Sequence, residues 1–476
     1  MSLLAPIERI GRDPRTGGYR RFAWNDADME LREWFAGEAA ARGMAYEEDG
    51  NGNQVAWWEP GYREPGGLDT PSPSGSGYST SGASGTSDSG YSTSGVSGTS
   101  GSGYSTSGTG GSGYSTSGAS GTGGSGYSTS GASGTGGSGY STSGASGDAL
   151  LLGSHLDSVP DGGAYDGPLG VVSAFAALDR LRADGFSPSR PIAVACFADE
   201  EGARFGVACA GSRLAAGTLD PDHALALKDR DGLTLAEVLR SQGRDLRTVG
   251  RSAWLDRVGA FVELHVEQGR ALVHSGDAVG VATAIWPHGR WRLDFEGRAD
   301  HAGTTPMADR RDPMPAYAAT VVAATRRAYE EGARATFGRV AVEPGGANAI
   351  PSKVTAWLDA RAGDDAVLAR MLDGILVDAR EAASASRVRV EVAVESSSPA
   401  VAFDRDLRER LAHALEAPLL PTGAGHDAGV LSAFVPTAML FVRNPTGVSH
   451  SPEEHADDAD CAAGVEALVR TVRELA

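Results

Sequence analysis

The chain has 476 residues, enough for two or three domains with sizeable hydrophobic cores. Its 42 lysines and arginines against 61 aspartates and glutamates give a formal net charge of −19, which excludes the broad basic surface of a nucleic-acid-binding protein. The three cysteines, Cys196, Cys209 and Cys461, lie far apart without CxxC spacing, which excludes a disulfide scaffold and favours a reducing compartment. With no secretory leader and no apolar run long enough to span a bilayer, we expect a cytoplasmic protein without membrane or nucleic-acid partners.

The segments outside residues 71–147 alternate between helical and strand patterns. Residues 27–42 show helical spacing of apolar side chains, and Gly-Asn-Gly turns follow at 49–53. Further along, 149–152 predicts a short buried strand, 169–181 an alanine-rich helix and 192–198 a second buried strand. This order predicts an α/β fold in which helices cover a mixed or parallel sheet, with ligand sites at the carboxyl ends of strands.

A low-complexity tract fills residues 71–147. It consists mainly of Gly, Ser and Thr around a recurring GYSTSG unit, with Asp88 as its one charged residue and Val96 as its one aliphatic side chain larger than alanine. A stacked solenoid is an alternative for a periodic sequence, but these units lack the apolar residues that a stacked core needs. The tract cannot bury enough apolar surface to offset its ordering entropy, so we expect a disordered insertion without site residues.

Polar residues follow the first strand after the tract. His155 and Asp157 are alternate residues and project to the same side of an extended chain. A carboxylate beside an imidazole is the usual arrangement that orients a metal-binding histidine. Asp166 follows at the predicted start of the next helix. A hydrogen-bonded loop histidine and a helix-capping aspartate are the alternative interpretations of His155 and Asp166.

Three consecutive acidic residues, Asp199, Glu200 and Glu201, follow the second buried strand. Two glutamates side by side at the end of a buried strand repel each other unless a cation or a proton lies between them. Neighbouring side chains also point in different directions, so one glutamate can bind a metal while the other faces a substrate. A solvated acidic turn is the alternative.

Two further segments supply histidines. In the segment FVELHVEQG, strict alternation places Glu263, His265 and Glu267 on one face, a pattern that the polar face of an edge strand would also show. Near the C-terminus, a strand at 438–442 leads into a loop that carries His450, which a capping or surface role would explain equally well. Taken together, histidines and carboxylates at the ends of separate strands suit two divalent cations bridged by a carboxylate.

The complete pattern resembles a known family, the amidohydrolase branch of the dinuclear zinc exopeptidases. This branch contains the N-carbamoyl-L-amino-acid hydrolases, the β-ureidopropionases and the allantoate amidohydrolases. The matching blocks follow the order of the family and are GSHLDSVPDGGAYDGPLGV, DEEGARFG, ELHVEQG, DHAGTTPMADRRDP, GGANAIPSKV and GVSHSPEE. The resemblance covers nearly everything outside the low-complexity tract, and several blocks in order are far more specific than any one of them.

The resemblance implies a set of metal ligands and a catalytic base. His155 and His265 would bind one ion, Glu201 and His450 would bind the other, and Asp166 would bridge them. Zinc is the expected metal, with manganese, cobalt or nickel as alternatives. Asp157 would orient His155, and Glu200 would act as the general base.

The resemblance also implies a second, smaller domain that serves as lid and dimer interface, and therefore a homodimer. From it, His301 would assist the transition state, while Asn348 and Arg361 would hold the substrate carboxylate. Gln268 would make a further polar contact near the metals. The implied parts are a catalytic domain built from 1–70, 148–283 and 397–476, a lid and dimerisation domain of α+β type at 284–396, and the insertion at 71–147.

The expected function is metal-dependent hydrolysis of a ureido or linear amide C–N bond in a small carboxylate, either allantoate or an N-carbamoyl-L-amino acid. A dipeptidase or aminoacylase with the same metal chemistry is an alternative. A non-catalytic scaffold that displays the repeat is a more remote alternative. A scaffold would be expected to show a secretion signal and a decayed set of metal ligands, and the sequence shows neither.

Overall fold

The computed structural model describes residues 2–59 and 147–476. The predicted disorder of the low-complexity tract therefore concerns residues that, apart from Gly147, lie outside the described ranges. Within those ranges, no helix combines the length and the apolar character that crossing a membrane would require.

The strands of the described residues are, in chain order, β1 (Ala45–Glu48), β2 (Gln54–Trp58), β3 (Ala149–His155), β4 (Ile192–Phe197), β5 (Val258–Val266), β6 (Val279–Ile285), β7 (His288–Glu296), β8 (Asp300–His301), β9 (Arg334–Glu343), β10 (Ala349–Ile350), β11 (Lys353–Arg361), β12 (Arg389–Ser398), β13 (Val401–Ala402), β14 (Leu419–Thr422) and β15 (Thr437–Val442). The α-helices of the same ranges are α1 (Asp26–Ala41), α2 (Pro168–Ala183), α3 (Ala210–Ala215), α4 (Pro221–Ala226), α5 (Leu235–Ser241), α6 (Ala271–Ser275), α7 (Pro313–Glu330), α8 (Asp365–Ala385), α9 (Arg405–Leu415), α10 (Asp427–Leu431) and α11 (Asp458–Leu475).

The larger sheet is mixed and has the strand order β1-β2-β4-β3-β5-β15-β6-β13, with β14 also pairing with β6. Its central strands β4, β3, β5 and β15 run parallel to one another, whereas β1, β2 and most of the β6 edge pair antiparallel. Parallel strands buried on both faces are typically continuous apolar runs, and β3 and β4 are buried at every position. The carboxyl ends of the four parallel strands meet at one edge of this sheet.

Helices cover both faces of the larger sheet. One apolar core contains Phe35 of α1, Phe175 of α2 and Leu468 of α11. A second core, on the opposite face, contains Leu431 of α10 and also Trp254, which precedes β5. The predicted α/β class, a mixed sheet with helices on both faces, is therefore confirmed.

The helix α2 packs unusually close to β5. A Cβ atom on Gly170 would lie 2.1 Å from the carbonyl oxygen of Leu264, so any larger residue at this position would push the helix away from the sheet. This contact fixes the start of α2, and the loop that carries Asp166 immediately precedes that start.

The smaller sheet is antiparallel, with the order β12-β7-β11-β9. Together with α7 and α8 it encloses a separate apolar core that includes Phe295, Leu358 and Met371. Its strands fall within residues 288–398, close to the predicted α+β segment at 284–396. The division of the chain into a catalytic domain and a lid stays a prediction.

The predicted elements agree with the structure to within a few residues. The helices expected at 27–42 and 169–181 are α1 and α2, and the strand expected at 192–198 is β4. The strand expected at 149–152 continues to His155, because Gly153 and Ser154 keep the parallel pairing with β4.

Candidate metal centre

His155 ends β3 as a fully buried side chain. Its Nδ1 lies 3.2 Å from the carbonyl oxygen of Asp157 and 3.4 Å from the Asp157 carboxylate. The two oxygens of that carboxylate accept the backbone N–H groups of Glu200 and Glu201, each at 3.1 Å. Asp157 thus links the end of β3 to the acidic loop after β4 and contacts the ring of His155.

Asp166 lies at the centre of the site. Its Oδ1 is 3.1 Å from Nε2 of His265 and 3.7 Å from Nε2 of His155. Its Oδ2 is 3.4 Å from Nε2 of His450 and accepts a hydrogen bond of 2.9 Å from the side-chain amide of Gln268. One buried carboxylate therefore contacts histidines from three different segments of the chain.

The structure brings all five predicted metal ligands together in two groups that share Asp166. The ligand atoms of the first group, His155, Asp166 and His265, all lie within 4.8 Å of one another, and the same holds for Asp166, Glu201 and His450. Nε2 of His450 is also 3.5 Å from Oε2 of Glu201. The resemblance implied the same grouping of these five side chains, and their role as metal ligands stays a prediction.

The side chains of this cluster suit divalent cations. The buried atoms His155 Nε2, His265 Nε2 and Glu201 Oε1 have no hydrogen-bond partner among the described residues. An unpartnered buried polar atom is costly, and cations bound to the two groups would satisfy all three. Imidazole and carboxylate donors select zinc and its neighbours in the first transition series.

The charges of the cluster perturb its pKa values strongly. Burial raises the pKa of Asp166, but the nearby ring nitrogens of His265 and His450 outweigh burial and hold it well below its usual range. Burial first, and the charge of Asp166 second, raise the pKa of Glu201 to about 7. The hydrogen bond to Asp166 raises the pKa of His450 to about 9. Cation binding would release such protons, because metal ligands must be deprotonated.

Glu200 stands beside the two groups without belonging to either. Its Oε2 lies 3.8 Å from Nε2 of His155, and its Oε1 accepts a 3.3 Å hydrogen bond from the thiol of Cys209. Burial raises the pKa of Glu200 well above its usual range, against the charge of His155. Burial likewise raises the pKa of the Cys209 thiol, with the Glu200 charge adding to the effect, so the sulfur carries the proton.

The three remaining predicted residues lie between Asp300 and Arg361, with His301 in β8, Asn348 in the turn before β10 and Arg361 at the end of β11. His301, in β8, uses Nδ1 to accept the N–H groups of Gly303 and Thr304, so that its Nε2 is the protonated nitrogen. Asn348 is beside it, since its carbonyl oxygen accepts the N–H of Ala302. In residues 2–59 and 147–476, no hydrogen bond or ion pair joins His301 or Asn348 to the metal-ligand cluster.

Arg361 ends β11 in a network of its own. Its Nε and Nη2 donate to the Asp359 carboxylate at 2.8 and 3.2 Å, and its Nη1 donates to the carbonyl oxygen of Gly423 at 2.7 Å. The last bond reaches the loop after β14 of the larger sheet. Among the described residues, hydrogen bonds connect this guanidinium to Asp359 and Gly423, and an arginine side chain can bind a carboxylate at two points.

Several buried residues at this site were not predicted from the sequence. The ring of His426 lies 4.5 Å from the ring of His265, and its Nε2 has no partner among the described atoms. The carboxylate of Glu454 accepts the backbone N–H groups of Tyr165 and Asp166, both at 2.9 Å. The motifs GAGHDAG and SPEE were the available signals. In contrast, Glu263, which alternates with His265, accepts hydrogen bonds from Ser154 and the N–H of Ala428 and does not reach the ligand groups.

Gly167 offers a test of the geometry around His155. A Cβ at this position would lie 2.3 to 2.5 Å from the atoms of the His155 ring, and its φ of +85° is unfavourable for other residues. Gly167→Ala is therefore expected to lower metal affinity by about 10-fold or more, as loss of support around a ligand does elsewhere. Titration of the metal-free protein, with calorimetric detection, measures this affinity.

Gly185→Ala is the matched control. Gly185 has a similar φ of +71° but nothing within 4 Å of its Cβ position, so it shares the backbone strain without the contact. Equal metal affinity in the two variants would show that the ring of His155 does not need this space.

Comparison with known proteins places the chain in a family. The chain matches the model of peptidase family M20/M25/M40 over residues 151–474. It is 40% identical to the N-carbamoyl-L-amino acid amidohydrolase of Geobacillus stearothermophilus, over 69% of this chain and 81% of that protein. It is 32% identical to the allantoate amidohydrolase of Escherichia coli strain K12, over 69% of this chain and 82% of that protein. A solved structure of a hydantoinase/carbamoylase family amidase from Burkholderia ambifaria matches with a TM-score of 0.70 and 28% identity, over 99% of this chain and 96% of that chain. The chain therefore belongs to peptidase family M20/M25/M40, a metal-dependent hydrolytic family, and is similar within it to the amidohydrolases.

Proposed function

We propose that this chain hydrolyses a ureido or linear amide C–N bond in a small carboxylate, an N-carbamoyl-L-amino acid or allantoate. The observation that carries the proposal is the pair of ligand groups sharing Asp166, with the carboxylate of Glu200 beside them. The substrates named for the amidohydrolase relatives support the choice of bond.

The proposed cofactor is a pair of divalent cations, zinc or else manganese, cobalt or nickel. His155 and His265 would hold one ion, Glu201 and His450 the other, and Asp166 both. When bound, such ions lower the pKa of a water molecule and polarise the bond to be cleaved. Asp157 would keep His155 in place, because its carbonyl and carboxylate oxygens contact Nδ1 and leave Nε2 directed into the site.

Glu200 is proposed to move the proton. It is buried, it is not needed as a ligand, and its Oε2 faces the histidine of the first ligand group. A carboxylate with a raised pKa can accept a proton from the attacking water and return it to the leaving nitrogen. Without that return, the amine or ammonia would have to leave as an unstable anion.

The substrate is proposed to be held from several sides. The outer edge of the Arg361 guanidinium would bind its carboxylate, while Asp359 occupies the inner edge. Asn348 would assist Arg361, and Gln268 would contact the substrate near Asp166. The protonated Nε2 of His301 would donate to the oxygen that gains charge in the transition state.

We also propose that the chain forms homodimers through the smaller sheet and its helices. Among the described residues, six of the nine large apolar side chains that are exposed lie in this part of the chain, namely Met307, Val322, Tyr329, Val340, Val377 and Val394. Exposed apolar side chains gathered on one part of a protein favour an interface. The three cysteines are free and buried, which supports the proposal of a cytoplasmic protein.

Glu200→Gln tests the proposed base. We expect turnover of N-carbamoyl amino acids or allantoate to fall by about 100-fold or more, the typical contribution of general acid–base catalysis. Metal content should stay unchanged, because Glu200 belongs to neither ligand group. Release of ammonia and of the amino acid from ureido acids, with dipeptides as comparison substrates, gives the rates. Normal turnover would remove Glu200 from the mechanism, and preferred cleavage of dipeptides would favour a peptidase.

Metal removal tests the proposed cofactor. Exhaustive chelation should abolish activity, and zinc, manganese, cobalt and nickel should restore it to different degrees, since imidazole and carboxylate sites select weakly among them. Elemental analysis should find two ions in each fully active chain. Activity that persists after all metal has left the protein would end the dinuclear proposal.

Arg361→Lys tests the carboxylate anchor. A lysine ammonium cannot replace a planar guanidinium that binds at two points, so we expect KM to rise by about 10-fold or more. Arg292→Lys, on β7 and paired with Asp294 instead, is the control and should leave KM near its normal value. If Arg361→Lys left KM unchanged for every carboxylate substrate, the anchor would lie elsewhere.

A further inference from the structure

Cys209 contacts Glu200 at two points. Its thiol donates to Oε1 of Glu200 at 3.3 Å, and its backbone N–H donates to the Glu200 carbonyl oxygen at 2.6 Å. Both residues are buried, with 7% and 6% of their surface exposed, so solvent does not compete for the carboxylate. The thiol is therefore a fixed donor to the group proposed as the general base.

The backbone around Cys209 adopts a conformation that holds the thiol in this place. Its φ of +53° lies in the left-handed region, which residues other than glycine rarely adopt. The next two residues make further backbone hydrogen bonds to the same segment. The N–H of Ala210 donates to the carbonyl oxygen of Asp199, and the N–H of Gly211 donates to the carbonyl oxygen of Ala198. A short ladder of backbone hydrogen bonds therefore joins the segment that begins at Cys209 to the loop that follows β4, and it offsets the unfavourable conformation.

The hydrogen bond from the Cys209 thiol gives the two carboxylate oxygens of Glu200 different surroundings. The terminal torsion of a glutamate is broad, so an unattached carboxylate can rotate. With Oε1 bound to the thiol, Oε2 is the oxygen that points toward His155 and the ligand groups. We propose that Cys209 is a positioning residue that fixes the Glu200 carboxylate, so that Oε2 accepts and returns the proton. This inference rests on the proposed role of Glu200.

The other two cysteines show what a purely structural cysteine looks like in this protein. Cys196, in β4, has its thiol 3.9 Å from the carbonyl oxygen of Phe197. Cys461 belongs to α11 and packs into the apolar core. Both are buried, but neither makes a hydrogen bond to a carboxylate of the site in the described part of the chain. Cys461→Ala is therefore a matched control for loss of a buried sulfur.

The test uses the metal-loaded, full-length enzyme and two variants that remove the thiol, Cys209→Ala and Cys209→Gly. Alanine keeps the strain of a positive φ, whereas glycine relieves it. If the thiol matters, both variants should lose about 10-fold in kcat with KM and metal content little changed, since small misplacement of a catalytic group is costly. Cys209→Ser retains a donor and should recover most of the rate, and Cys461→Ala should match the unmodified enzyme. If only the alanine variant lost activity, backbone strain would be the cause and the inference would be wrong.

A double-mutant cycle links the effect to Glu200. In a Glu200→Gln background, removal of the thiol should change the residual rate by less than about twofold, because the carboxylate that it positions is gone. An equal loss in both backgrounds, a normal kcat in Cys209→Gly, or loss of metal from that variant would each overturn the inference. If Glu200→Gln itself kept full turnover, the proposed function of Glu200 would fail first, which separates the two results.

Discussion

The site depends on one buried carboxylate, that of Asp166. It contacts three histidines that come from β3, from β5 and from the loop after β15, so its position is determined by parts of the chain nearly 300 residues apart. Its backbone N–H donates a hydrogen bond to the carboxylate of Glu454, and its side chain also accepts hydrogen bonds from Gln268 and Ser449. Contacts on several sides keep this carboxylate from rotating. A carboxylate that two cations share must be fixed in this way if the distance between the cations is to stay constant.

The register of the larger sheet explains how these segments meet. Gly153 of β3 pairs with Glu263 of β5, so two residues further along His155 is level with His265, and the centroids of the two rings are 5.8 Å apart. β15 runs parallel on the other side of β5 and delivers the loop with His450 to the same edge. Because all of these strands are parallel, their carboxyl ends coincide, and ligands can be gathered without any long side chain having to reach across the sheet.

The sequence predicted the part of this arrangement that follows from local pattern. The buried strand that ends at His155 and the one that precedes Glu200 and Glu201 are visible as short apolar runs followed by polar residues, and the alternation around His265 marks a strand. It could not predict contacts between distant segments, such as Glu454 on the N–H of Asp166 or Ser212 on Asp427. It also placed Glu263 and Glu267 beside His265, yet Glu267 accepts the N–H groups of Ala271 and Leu272 at the start of α6. Periodicity assigns a residue to a face, but the neighbouring elements decide what that face meets.

The balance of charge at the site is a further reason to expect that it binds cations. This reason does not depend on any resemblance to known proteins. The carboxylates of Asp166, Glu200 and Glu454 are buried, and that of Glu201, whose side chain is 8% exposed, lies close to that of Asp166. Burial followed by the charge of Asp166 raises the pKa of both Glu201 and Glu454 to about 7. His426 adds no charge, because burial and then the neighbouring His265 hold its pKa well below the usual range. Protonation can offset this excess of negative charge only by removing carboxylates or histidines as ligands, whereas divalent cations offset it and leave both able to bind. The same cations would hold Glu201 as a ligand while Glu200, attached to Cys209 instead, stays free to exchange a proton.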